Sequence, residues 1–481
     1  MRIAILHYHL KRGGVTRVIE SSIESLEREG LECITIAGEI PDTFKYKASS
    51  VEIPGLRYSN AQESTPPPEE LLRAIKNASE SQLGGPPDLW HIHNHSLGKN
   101  ASMPGIINLL AKEGAAMLLQ MHDFAEDGRP GNHALNQSSR APLYLSGARI
   151  HYACINQRDF RHFQSLGLPS GNLHLLTNPV PAMERSMVPE VSINQALGCD
   201  SLILYPVRAV RRKNFGEMLL WAAVAPEGTA FATTLGPTNL NFRAQYESWR
   251  ELATRLQLPV HFSISETLDW PFEAILTSAD GILTTSVAEG FGLAFLEPWL
   301  FGKSIIGRDL PAITADFKAQ GIQFDQVYTG IRIPASWIDM EALRAAIGAE
   351  LEASYRTYGK APSEKSLESA IAAICPDSDH VDFGGLNELF QAAVIEKVCS
   401  TPDAKAEIAR QLPLPIVTRP ETISSNASIV RETYGLAHYG QRLAQLYRNI
   451  ASAKPSEITP LDADTLLERF LDPENFRLLR T

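Results

Sequence analysis

Cysteine is scarce in this chain: five residues in 481, at positions 33, 154, 199, 375 and 399, with no CxxC pair among them. That scatter excludes a disulfide framework and predicts a reducing compartment. Positive charge is also in short supply. The net charge of −11 argues against nucleic acid as a bulk partner. No uninterrupted apolar run reaches the roughly 20 residues that cross a bilayer, and the first apolar stretch is too short for a secretory signal. The expected location is therefore the cytoplasm. Lys11, Arg12, Lys45 and Lys47 are too few to form a basic membrane-binding surface. A complete dinucleotide fingerprint is missing as well. Arg2-Ile-Ala-Ile-Leu-His-Tyr8 reads as a strand, Gly13 and Gly14 follow, and Val15, Val18, Ile19, Ile23 and Leu26 have helical spacing. The next strand, Ile34-Thr-Ile-Ala37, ends at Gly38 with no acidic residue, which disfavours an NAD-dependent oxidoreductase.

What the chain does have is ample core material, 44% hydrophobic residues, and a length that implies more than one domain. Its most informative stretch is Glu289-Gly-Phe-Gly-Leu-Ala-Phe-Leu-Glu297. Gly281-Ile-Leu-Thr-Thr-Ser286 before it reads as a buried strand, and Leu293, Leu296 and Leu300 have helical spacing. Gly290 and Gly292 let backbone approach a ligand, and the N–H groups of the following helix favour a diphosphate. Two carboxylates would repel that phosphate, so Glu289 and Glu297 are read as acceptors for sugar hydroxyls on either side of it. Pro298 predicts that helix begins, or kinks, at that point. The plainer reading is a surface turn with solvated glutamates. Upstream, the strand Leu202-Ile-Leu-Tyr-Pro-Val207 leads into Arg208, Arg211, Arg212 and Lys213, a cation cluster whose natural partner is an anion. Left in solvent, it would be only a charged loop.

These motifs resemble the donor site of retaining glycosyltransferases of the GT-B fold, the large family-four group that uses nucleotide sugars. The resemblance implies that Glu289 contacts hydroxyls of the transferred sugar and Glu297 the nucleotide ribose. It places Arg208 and Lys213 on the donor diphosphate, and Gly290, Phe291, Gly292 and Leu293 around it. Arg211 and Arg212 are extra and expected to face solvent. Gly13 and Gly14 match the family's first loop, under the donor phosphates; in the plainer reading they only turn the chain from strand to helix. His122, in Met117-Leu-Leu-Gln-Met-His122, aligns with the family histidine that contacts the sugar, although a backbone-satisfied core histidine fits the residues too. His91, His93 and His95 alternate and would share one strand face, but no cysteine or carboxylate pair completes a zinc site.

The implied architecture is α/β, with two Rossmann-like domains whose parallel sheets face a central cleft and a C-terminal helix that crosses back to the first. Strand-like runs near 2–8, 31–37, 89–93, 117–122 and 150–155 begin again near 202–207, 231–235, 259–264, 280–285 and 304–307. We divide the chain into a first domain over 1–180, a hinge over 181–199, a donor domain over 200–430, and a crossover helix with its tail over 431–481. Ala61 to Pro68 reads as an exposed loop. The segments 360–430 and 455–481 exceed the family's compact core, and Asp377-Ser-Asp379 in the former reads as a turn.

The chemistry implied is hexose transfer with retention of configuration from a nucleoside-diphosphate sugar to a hydroxyl acceptor, without metal or other cofactor. Glu289, His122, Arg208 and Lys213 are the catalytic candidates. Lys99, Asn100, Arg129 and Asn132, in loops after strands of the first domain, are candidate acceptor ligands, and their cations suggest an anionic or polyhydroxylated acceptor. Self-association is compatible with the sequence. A two-carboxylate hydrolase would not explain the basic loop. A nucleotide-sugar epimerase of the same fold and a non-catalytic nucleotide-sugar-binding protein remain open.

Overall fold

The structure is a computed structural model that describes residues 1–59, 65–182, 193–237, 242–268, 270–417 and 419–480. The chain divides into two compact units. The first comprises Met1–Pro181, Thr357–Gly359 and Glu432–Leu471; the second comprises Ala182–Arg356, Lys360–Arg431 and Asp472–Thr481. Most of the expected hinge, residues 183–192, lies outside the described residues, as do residues 61–64 of the expected loop. Pro68, expected in that loop, instead opens the helix Pro68–Leu83, where its fixed φ suits a first turn.

In the first unit, strands β1 (Arg2–His7), β2 (Glu32–Ala37), β3 (Ser50–Glu52), β4 (Leu89–His93), β5 (Met117–Met121), β6 (Ile150–Cys154) and β7 (Leu173–Leu175) form one sheet. Its order is β3-β2-β1-β4-β5-β6-β7 and every pairing is parallel. Strand alternation sends Ile3, Ile5 and Leu118 to one face and Ala4, Leu6 and Leu119 to the other, so the sheet is covered on both sides. Helix α1 (Gly14–Arg28) buries Ile19, Ile23 and Leu26 against the first face. The returning helix Leu436–Ser452 packs beside it with Tyr439, Leu443, Tyr447 and Ile450 buried. Two hydroxyl contacts tie it down, Tyr439 to Ser22 at 2.9 Å and Tyr447 to His91 at 2.6 Å. Helix α2 (Pro130–Gln137) follows the loop after β5.

The second unit repeats the plan with β8 (Ser201–Arg208), β9 (Thr229–Leu235), β10 (Val260–His261), β11 (Gly281–Thr284), β12 (Ile305–Arg308) and β13 (Gln326–Tyr328). The order is β10-β9-β8-β11-β12-β13, again parallel throughout. Helices α3 (Phe215–Val224), α4 (Glu297–Leu300) and α5 (Glu388–Ser400) belong to this unit. α3 is buried along its whole length, which its run Met-Leu-Leu-Trp-Ala-Ala-Val allows because the segment 360–430 folds over it. Among the described residues no helix is long and apolar enough to cross a membrane.

Candidate functional site

In an open parallel sheet, side chains that meet ligands gather at the carboxyl ends of the strands. In the second unit, β8 and β11 are hydrogen-bonded neighbours, and the two sequence motifs leave the sheet from their adjacent carboxyl ends. After Arg208, which ends β8 exposed, the chain makes a tight turn over Arg211–Lys213 and passes through Asn214 at φ +54° into α3. After β11, the loop runs to Gly292 at φ +89°. A Cβ at Gly292 would lie 2.8 Å from Ile313 Cγ2, so both conformation and space require glycine there.

The two loops bring Lys213 and Glu289 together as an ion pair, Nζ to Oε1, with side chains only 13% and 9% exposed. Burial opposes ionisation of Glu289. The charges of Lys213 and Arg212, with hydrogen bonds from Lys213 and Ser286, outweigh it and hold the carboxyl below its ordinary range. The loops are also stitched to each other. The Val287 amide donates to the Arg212 carbonyl at 2.9 Å. Tyr205 Oη donates to the Lys213 carbonyl at 2.8 Å and lies 2.9 Å from Ser286 Oγ. Thr285 Oγ1 is 3.0 Å from the carbonyls of both Lys213 and Asn214.

Behind this turn lies a buried polar network that the sequence reading did not anticipate. Asn214 Nδ2 donates to Glu217 Oε2 at 2.8 Å and to the Thr285 carbonyl at 3.1 Å, while Gln391 Nε2 donates to Asn214 Oδ1 at 2.8 Å. Arg308, the last residue of β12, clamps both Glu217 (2.6 Å) and Asp382 (2.9 Å). Burial works against its charge, but the two carboxylates prevail and raise its pKa well above the usual value. Tyr328 Oη completes the set, donating to Glu217 at 2.8 Å. Asp382 and Gln391 come from the segment 360–430, to which the sequence reading gave no role. So does Glu388, which pairs with Arg211 at 2.7 Å. Arg211 is thus a fastener between the basic turn and α5 and not the solvent-facing residue expected; Arg212 is exposed. A signal was present in the form of Asn, Glu and Arg at strand ends and in an otherwise apolar helix, where burial demands partners.

The helix expected after the glycine turn is much shorter than its leucine spacing implies. Leu293–Phe295 forms a single tight turn, and α4 has four residues with Glu297 first and Pro298 second. Helix begins at Glu297, next to Pro298, close to where it was expected, because proline needs no N–H partner in a first turn. Phe291 is buried with its ring edge-on to Phe317 at 5.6 Å, so its side chain belongs to the core. Gly290, Leu293 and Glu297 are half-buried along the same loop.

The remaining candidates lie in the first unit. Gly13 caps α1 with φ −178°, extended backbone that any residue adopts, and Gly14 opens the helix. A Cβ would meet nothing nearer than 3.7 Å at Gly13 and nothing within 4 Å at Gly14. Neither the turn nor the packing therefore requires glycine, and the absent side chains leave open space at the carboxyl end of β1. His91 and His93 do share a face, their ring centroids 4.2 Å apart. His95 does not, because β4 ends at His93 and Asn94 at φ +55° turns the chain away. His95 instead bonds the Leu143 carbonyl at 3.1 Å. His122 is 6% exposed, its Nε2 is 2.9 Å from His93 Nδ1, and burial lowers its pKa to about 3. Among the described residues no group of three or more His, Cys, Asp or Glu is arranged to hold a metal. Asn100 is committed to the fold: Nδ2 donates to the carbonyls of Gly55 and Arg57, both at 2.8 Å, and Oδ1 accepts from the Ser102 amide at 3.0 Å. Lys99 and Arg129 sit on loops after β4 and β5, whereas Asn132, expected in a loop, lies in the first turn of α2, which Pro130 opens.

No protein-family profile matches the chain. Mannosylglucosyl-3-phosphoglycerate synthase of Petrotoga mobilis is 25% identical over 99% of this chain and 98% of its own length. Among solved structures, HepE of Anabaena, in complex with UDP and glucose, aligns over 92% of this chain and 98% of its own, with a TM-score of 0.53 and 14% identity. Sucrose-phosphate synthase of Thermosynechococcus elongatus aligns over 93% and 98%, with a TM-score of 0.53 and 13% identity. Two parallel sheets, each with helices on both faces, and a helix that returns from the end of the second unit to pack on the first sheet give this chain the GT-B glycosyltransferase fold.

Proposed function

We propose that the protein is a retaining hexosyltransferase that moves a hexose from a nucleoside-diphosphate sugar to a hydroxyl of a small acceptor, in the cytoplasm and without a metal. The observation that carries this reading is the Lys213–Glu289 pair, nearly buried and fixed from behind, beside the exposed cation Arg208 at the carboxyl ends of two adjacent strands. A relative named for synthesis of a glycosylated phosphoglycerate and a fold neighbour in complex with UDP and glucose support the same class of reaction.

In this scheme the acceptor hydroxyl oxygen bonds to the anomeric carbon as the bond from that carbon to the diphosphate breaks. The hydroxyl proton passes to the departing phosphate oxygen on the same face, so no dedicated protein base is needed. Arg208 and Lys213 balance the charge that develops on the diphosphate, and backbone N–H groups along Gly290–Leu293 add donors. Glu289, kept ionised by its neighbours, accepts from the sugar's hydroxyls. Glu297 takes the ribose, His122 the transferred sugar, and Gly13 and Gly14 leave room for the donor. Lys99, Arg129 and Asn132 serve the acceptor; Asn100 drops out because its amide is already bonded. The test is the anomeric NMR signal of the transfer product formed from an α-linked donor. An α product is expected, and a β product would refute retention.

A further inference from the structure

The first unit carries, beyond the carboxyl ends of β4 and β5, a group of hydrogen-bond donors formed by Lys99, Arg129 and Asn132. Lys99 makes no ion pair among the described residues; its ammonium lies 5.0 Å from the centre of the Tyr58 ring. Arg129 is held in place: its guanidinium donates to Asp123 at 2.6 Å and to the carbonyls of Phe124 and Asp127 at 2.9 and 3.0 Å. Its amide donates to Tyr358 Oη at 2.7 Å. The side chain remains 36% exposed. The loop bearing Lys99 abuts the start of α2 because Gly98, at φ +66°, has no Cβ; one would lie 2.0 Å from the Asn132 carbonyl oxygen. On that segment Asn132 Nδ2 is buried with no acceptor.

The electrostatics agree with this geometry. Burial and the charge of Arg129 both lower the Lys99 pKa, and Asp123 opposes them only in part. Two cations are thus set against one carboxylate, and the excess charge is partly withdrawn from water, where it interacts more strongly with an anion. Tyr58 walls the group and is itself fixed, its hydroxyl 3.0 Å from His9 Nε2.

We propose that Lys99 and Arg129, with Asn132 beside them, receive an oxyanion of the acceptor: a phosphate or carboxylate group on a polyhydroxylated small molecule, with Asp123 accepting from one of its hydroxyls. This inference rests on the transferase reading and specifies the substrate class of its acceptor. A planar guanidinium and an ammonium suit both oxyanions, so the two are distinguished by experiment.

The full-length protein is titrated by calorimetry, without nucleotide, with glucose 6-phosphate, glucuronate and glucose. UDP, GDP and ADP are titrated separately. One or both anionic sugars are expected to bind at least about tenfold more tightly than glucose, the worth of a charge-assisted hydrogen bond. Lys99→Gln is expected to abolish that preference, Lys99→Arg to restore most of it, and nucleotide affinity to stay within about twofold. Equal binding of charged and neutral sugars, or a preference that survives both Lys99→Gln and Arg129→Gln, would overturn the proposal. Loss of nucleotide binding by the unaltered protein would strike the transferase reading instead and leave the sugar titrations decisive for the anion site.

Discussion

Lys213 and Glu289 neutralise each other where water is largely excluded, so loss of Glu289 leaves the ammonium without its carboxylate, and loss of Lys213 leaves Glu289 only the charge of Arg212 and the hydrogen bond from Ser286. Glu289→Ala should lower the stability of the second unit by about 1–3 kcal/mol, measured by urea unfolding, because it strands a nearly buried ammonium. Lys213→Ala should reduce kcat by roughly 10² to 10³, the usual effect of removing one group aimed at developing charge. A smaller test isolates position from charge. Thr285→Val removes the hydroxyl that lies 3.0 Å from the carbonyls of Lys213 and Asn214, while Thr285→Ser keeps it. The valine variant should lose about tenfold in kcat, equivalent to one misplaced hydrogen bond, and the serine variant should recover most of it. At this scale the sequence was legible where a residue's conformation is its signal. Gly292 stands where φ is +89°, and Pro298 at the helix start. It was not legible where a residue's meaning lies in a distant partner. Nothing near Arg211 announces Glu388, 177 residues away.

Regular elements were legible because buried parallel strands are continuous apolar runs with sharp ends, as in Met117–Met121 and Gly281–Thr284. The edge strands Ser50–Glu52, Leu173–Leu175 and Gln326–Tyr328 were missed, since three residues carry no period to read. The leucine spacing after Gly292 misled as well. Of Leu293, Leu296 and Leu300 only Leu296 is buried, and Phe295, Pro298 and Trp299 carry the packing instead, so the spacing did not mark a helical face. The element least legible in function was the segment 360–430. Its β-ladder strand His380–Asp382 and helix α5 supply Asp382 and Gln391 to the network behind Lys213. Arg308→Met should therefore destabilise the second unit by about 3–5 kcal/mol, because Glu217 and Asp382 lose their shared cation in the interior. Chemical denaturation followed by tryptophan fluorescence, with Trp221 buried in α3, reads this directly.

Across the whole molecule, buried histidines are unevenly shared, and the two units should respond differently to acid. His7, His91, His95 and His122 all lie in the first unit, with pKa values lowered by burial to about 3, or about 4 for His95. Because their folded values lie below the unfolded value of about 6.5, their neutral forms leave stability intact above that pH. It is lost progressively as the pH falls toward the folded values, by up to about 1.4 kcal/mol per histidine per pH unit. The first unit should accordingly unfold first on acidification, and His91→Gln should flatten its stability profile between about pH 6.5 and 4. Glu126 acts in the opposite sense. Its burial raises its pKa to about 7, so its neutral form suits the fold and stability declines as pH rises through that value; Glu126→Gln should remove this decline.

The most direct measurement is nucleoside-diphosphate release, followed by NMR, with UDP-, GDP- and ADP-hexoses supplied singly to the full chain. Release from one donor, slowed at least about 100-fold by Lys213→Ala, is the predicted result. No binding or release with any of the donors, or undiminished release by the variant, would contradict the assignment of the Lys213–Glu289 pair as a nucleotide-sugar site.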